Sequence, residues 1–134
     1  MIRPLLLALA ITTPALAGET KRYAFFITGD PQYLAEKSPA PTTLDPYSEQ
    51  ANSRFIKILN QLPGQPIPEN LGGGQVAKNL LGVIVTGDLV DSFDKTGGHY
   101  DAMGKYEWHR YVADYGLTGN DGKIPWPVYD LHGN

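Results

Sequence analysis

Three short stretches hold the residues best suited to chemistry: Thr28-Gly29-Asp30-Pro31-Gln32-Tyr33, Thr86-Gly87-Asp88-Leu89-Val90-Asp91-Ser92 and His132-Gly133-Asn134. Each follows directly on an apolar or β-branched run, at residues 23–28, 80–86 and 128–131. Each run therefore delivers an oxygen-bearing side chain at its tip, and two of these, Asp30 and Asp88, are carboxylates. Carboxylates brought within a few ångströms repel one another unless a cation lies between them. Oxygen-rich sites of this kind suit hard or borderline divalent metals. Two such ions held close together can clamp a phosphate and activate a water. A lone Gly-Asp pair is more often a turn former or a helix cap. Three polar tips on three consecutive buried strands favour a shared site instead.

The elements that must position these tips alternate along the chain. Residues 23–28 form a continuous apolar run, the pattern of a strand buried on both faces. Asp45-Pro46 is an N-cap with proline at the first helical position, and the helix runs from Pro46 to Gln61, with Ala51, Phe55, Ile58, Leu59 and Leu62 on one face. Pro63-Gly64 ends it, and residues 63–79 read as a loop rich in proline and glycine, with Gly72-Gly73-Gly74 a flexible turn rather than a phosphate cradle. A second strand covers residues 80–86, and residues 92–100 read as polar loop. A second helix is expected over residues 104–115, with Trp108, Tyr111, Val112 and Tyr115 as a core stripe and Gly116 as C-cap. Gly119-Asn120-Asp121-Gly122 is a turn before the third strand. A β-α-β-α-β order implies parallel strands joined by right-handed crossovers, with ligands bound beyond the strands' carboxyl ends.

Gly87-Asp88-Leu89-Val90-Asp91, followed some forty residues later by Gly133-Asn134, resembles the calcineurin-like metallophosphoesterase superfamily. That family's signature opens with Asp-x-His after the first strand. Gly-Asp-x-x-Asp follows the second strand and Gly-Asn-His the third, with two later histidine motifs. The resemblance implies an α/β fold in which this chain supplies the parallel β-α-β-α-β half of a four-layered, helix-flanked β-sandwich. It implies two divalent metal ions (manganese, iron, zinc or similar) and a phosphoester substrate, monoester or diester, attacked by a hydroxide bridging the metals. Carried over residue by residue, Asp30 is a ligand of the first metal, Asp88 bridges both, and Asn134 binds the second metal and reaches the phosphate. Gln32 stands where the family has histidine, and its amide oxygen is a weaker ligand than imidazole. Asp91 and His132 fall beside the ligands rather than among them. The family's catalytic histidine would follow Asn134, so no catalytic acid falls within the chain. The chain is accordingly expected to be the N-terminal part of a longer domain, inactive and poorly folding alone. Gln32 leaves a second function class open, a catalytically degenerate binding or scaffold protein on the same fold.

Composition sets the remaining bounds. The 134 residues suffice for one small domain, and a net charge of −3 provides no basic footprint for nucleic acid. The absence of cysteine excludes disulfides, thiolate nucleophiles and thiolate zinc sites. Residues 1–17 carry a basic start, an apolar core and a small-x-small ending at Ala15-Leu16-Ala17, the pattern of a cleaved export signal. Its core is too short to span a bilayer. The mature domain is then expected at Gly18, in the periplasm or outside the cell, without a membrane anchor. His99 and His109 read as solvated.

Overall fold

The computed structural model describes residues 10–11 and 22–131. Five larger elements carry the fold: strand β2 (Tyr23–Gly29), helix α1 (Pro46–Gln61), strand β3 (Gly82–Thr86), helix α2 (Gly98–Tyr115) and strand β4 (Val128–Leu131). A two-residue strand β1 (Ala10–Ile11) pairs antiparallel with β2, and the sheet order is β1-β2-β3-β4. β2, β3 and β4 run parallel, with Phe26 opposite Val83 and Val83 opposite Val128. The chain is thus α/β, with a three-strand parallel sheet and two crossover helices. β1 lies inside the stretch that reads as an export signal; the rest of that stretch, like His132, Gly133 and Asn134, lies outside the described residues.

The sheet has two unlike faces because side chains alternate along a strand. Phe26, Val83, Val85 and Val128 point to one face and are buried together with Ile56 and Leu59 of α1 and Tyr111 and Tyr115 of α2. Both helices therefore cover the same face, as successive crossovers of one hand require. On the other face lie Phe25, Ile27, Ile84, Tyr129 and Leu131. Tyr129 and Leu131 are 50% and 53% exposed, and among the described residues no helix covers this side.

α1 has the predicted boundaries. Asp45 accepts from Tyr47 N–H and Ser48 N–H at 2.9 and 3.1 Å, and Pro46 occupies the first turn. Its buried stripe differs from the expected one: Ser48, Asn52, Ile56 and Leu59 face inward, while Ala51 and Ile58 are exposed. Two polar residues displace the apolar stripe at the N-terminal end because the loop after β2 needs their hydrogen bonds.

α2 begins at Gly98, six residues before the expected start at Gly104, so His99 belongs to a helix and not to a solvated loop. Gly104 is a packing residue, since a Cβ there would lie 2.5 Å from the Phe93 ring. The buried stripe of α2 is Met103, Gly104, Glu107, Tyr111, Asp114 and Tyr115. Trp108, expected in the core, is 37% exposed and rests against Tyr111. His109 is exposed, as expected.

Candidate functional site

Parallel register brings the strand tips to one edge. Gly29 lies opposite Thr86, and Thr86 opposite Leu131. Asp30 and Asp88 therefore leave the same edge of the sheet from neighbouring strands. The approach is close. A Cβ at Gly29 would sit 2.9 Å from Thr86 Oγ1, and the Thr86 hydroxyl donates to the Thr28 carbonyl at 3.2 Å. Gly87 turns the chain at φ 81°, and its N–H donates to the Leu131 carbonyl at 3.1 Å. β3 is the middle of the three parallel strands, so Asp88 occupies the central tip.

Among the described residues, three non-glycine residues have positive φ: Asp30 at 50°, Gln32 at 39° and Asp88 at 40°. A left-handed backbone costs an L-residue roughly 1–2 kcal/mol, and such positions persist where surrounding structure over-determines them. Here it does. Gln32 N–H donates to the Asp88 carbonyl at 2.9 Å and Tyr33 N–H to the Leu89 carbonyl at 3.1 Å, so the two loops extend the pairing of β2 and β3 past the strand ends. From α1, the Asn52 amide donates to the Pro31 carbonyl at 3.0 Å. The Ser48 hydroxyl donates to the Gln32 carbonyl at 3.3 Å and accepts from Leu34 N–H at 3.0 Å. From α2, Glu107 accepts from Ala35 N–H at 2.8 Å and from Ser92 N–H at 2.9 Å.

The side chains presented this way remain open to solvent: Asp30 and Gln32 are exposed and Asp88 is half-buried. Asp91 is half-buried and forms an ion pair with Lys95, four residues on. The hydrogen bond that the Lys95 ammonium donates to Asp91 is the main reason its pKa lies above the ordinary range. Asp91 N–H donates to the Tyr33 carbonyl at 3.1 Å.

The donor set suits a hard divalent cation, with carboxylate and amide oxygens on adjoining, rigidly paired loops. Among the described residues no three His, Cys, Asp or Glu side chains gather into a metal-sized cluster. Asp30, Gln32 and Asp88 supply two carboxylates and an amide, and Asn134 and His132 lie outside the described residues.

The residues that sequence reasoning missed are the buried polar ones: Ser48, Asn52, Glu107 and Asp114. Each ties α1 or α2 to a loop or strand at the candidate edge or to a neighbouring segment. Asp114 accepts from the buried Tyr33 hydroxyl at 2.9 Å and pairs with Lys123 at 2.5 Å. Tyr111 donates its hydroxyl to Asp130, in β4. Asp114 and Glu107 fall on the stripe with Tyr111 and Tyr115, which was the available signal: a carboxylate at a core position of a helix needs a specific partner.

Comparisons with family models, curated proteins and solved structures found no match to this chain.

Proposed function

We propose that this chain carries the first metal-binding half of a two-metal phosphoesterase site, on the α/β half of a metallophosphoesterase sandwich. One observation carries most of the reading. The three described positions expected to donate to metal, Asp30, Gln32 and Asp88, are the ones held at positive φ. Strain of this kind clusters at functional sites, and Gln32 in particular is not a residue type that favours a left-handed backbone.

The roles are those that the resemblance implies, and the order of the strands is compatible with them. Asp88, on the central strand, is the donor that can serve ions on both sides of it. Asp30 and Gln32 follow β2 and would serve the first ion, and Asn134, outside the described residues, is the donor that the resemblance assigns to the second. Divalent ions bound there would polarise a phosphoester and activate a water for in-line attack. Gln32 offers an amide oxygen, a weaker donor than an imidazole nitrogen, so the first ion would be held less tightly than with histidine there. Solvent exposure of Asp30 and Gln32 leaves room for an extended substrate.

The test is metal content and turnover in protein expressed from its whole reading frame. About two divalent ions per chain, and hydrolysis of an aryl phosphate or bis-aryl phosphodiester that Asp88→Asn abolishes, support the enzyme. A folded protein that binds no metal and turns over neither compound would instead be a binding or scaffold protein, the reading that the replacement of histidine by Gln32 favours.

A further inference from the structure

Glu107 is fully buried in the middle of α2, and among the described residues no lysine or arginine pairs with it. Among the described residues every hydrogen bond of its side chain goes to one of the two donor-bearing loops. Oε1 accepts from Ala35 N–H at 2.8 Å, in the loop after β2, and from the Ser92 hydroxyl at 2.8 Å, in the loop after β3. Oε2 accepts from Ser92 N–H at 2.9 Å and Asp91 N–H at 3.1 Å. One carboxylate therefore bridges the segment three residues beyond Gln32 and the segment three residues beyond Asp88. Its cost of burial is offset only by N–H and O–H donors, and an apolar side chain there would leave the Ala35 and Ser92 N–H groups without their acceptor.

We infer that Glu107 is a positioning residue: its carboxylate locks the two loops in register and so sets the relation of Asp30 and Gln32 to Asp88. This rests on the two-metal reading of those loops. The lock acts through the pairing of Gln32 N–H with the Asp88 carbonyl and of Tyr33 N–H with the Leu89 carbonyl, which Glu107 flanks. Glutamine at 107 has the same shape but a single accepting oxygen. In either amide orientation its NH2 group confronts at least one backbone N–H, of Ala35 or of Asp91 and Ser92. The volume is kept and the lock is broken.

The experiment compares wild type, Glu107→Gln, Ser92→Ala and the core control Ile124→Ala, all expressed from the whole reading frame. It reads Mn2+ affinity by electron paramagnetic resonance and amide exchange at Gln32 and Tyr33. Glu107→Gln should weaken Mn2+ binding about tenfold to a hundredfold, the range for residues that orient ligands without touching metal. It should also speed exchange at Gln32 and Tyr33 well beyond Ile124→Ala. Ser92→Ala removes one donor and should show a smaller change of the same kind; it decides the matter if Glu107→Gln does not fold. Variants that match Ile124→Ala in both readouts overturn the inference. If wild type binds no Mn2+, the two-metal reading falls and the exchange comparison alone decides whether Glu107 locks the loops.

Discussion

Backbone strain at Asp88 separates what the residue does for function from what it does for the fold. At φ 40° its β-carbon is a burden, and glycine would be relieved of it. Two substitutions of the same side chain should therefore diverge. Asp88→Ala keeps the strain, whereas Asp88→Gly releases it at the cost of a looser unfolded chain. Asp88→Gly is expected to be about 1 kcal/mol more stable than Asp88→Ala in urea unfolding, with both losing cation binding. Equal stabilities would mean that the loop relaxes freely and the strain is not stored. Gln32 makes the complementary case. Histidine tolerates left-handed backbone better than most residues and is a stronger metal ligand than an amide. Gln32→His should raise Mn2+ affinity and bring the metal content closer to two per chain, which a titration followed by metal analysis would show.

The helices are where reading from sequence succeeded and failed for separable reasons. Strand runs and the Asp45-Pro46 start of α1 were legible because they depend on local signals: apolar continuity, a capping carboxylate and a fixed proline φ. The buried stripes were less so. Ser48 and Asn52 fall outside the expected apolar stripe, and only the tertiary need of the Pro31–Leu34 backbone turns them inward. Glu107 was illegible for the same reason, although it sits in register with Met103, Tyr111 and Asp114. The Gly97-Gly98 pair read as loop, yet α2 starts there and Gly104 lies inside it. Asn52→Ala should cost about 1–3 kcal/mol, the usual penalty for a buried backbone acceptor left without its donor, against a few tenths for Ser53→Ala on the exposed face. The Tyr33, Tyr111 and Tyr115 cluster gives α2 a pH signature. Burial first, and the neighbouring Asp114 and Asp130 carboxylates next, push all three phenols well above their ordinary range. Their folded-state pKa values are raised, so their contribution to stability is intact below the ordinary phenol value of about 10 and is lost as pH climbs above it. Ionisation of these three, followed by absorbance near 295 nm, should coincide with alkaline loss of helical circular dichroism. Ionisation that precedes unfolding would show the cluster to be open to solvent.

At the scale of the molecule the sheet is lopsided. α1 and α2 cover one face, and Tyr23, Phe25, Ile27, Ile84, Tyr129 and Leu131 make the other, with Phe25 and Tyr129 meeting edge to face across Gly82. A contiguous apolar surface on a parallel sheet is not a stable end state in water. Residues 1–134 expressed alone should therefore self-associate and bind a hydrophobic dye. Tyr129 and Leu131 are the points to test, because both are about half exposed and neither belongs to the packed core under the helices. Charging them with Tyr129→Lys and Leu131→Lys should lower the weight-average mass in sedimentation and reduce dye binding, with the far-ultraviolet spectrum unchanged. An unchanged mass would place the association elsewhere, with β1 and the β2 edge it pairs with the next surface to charge.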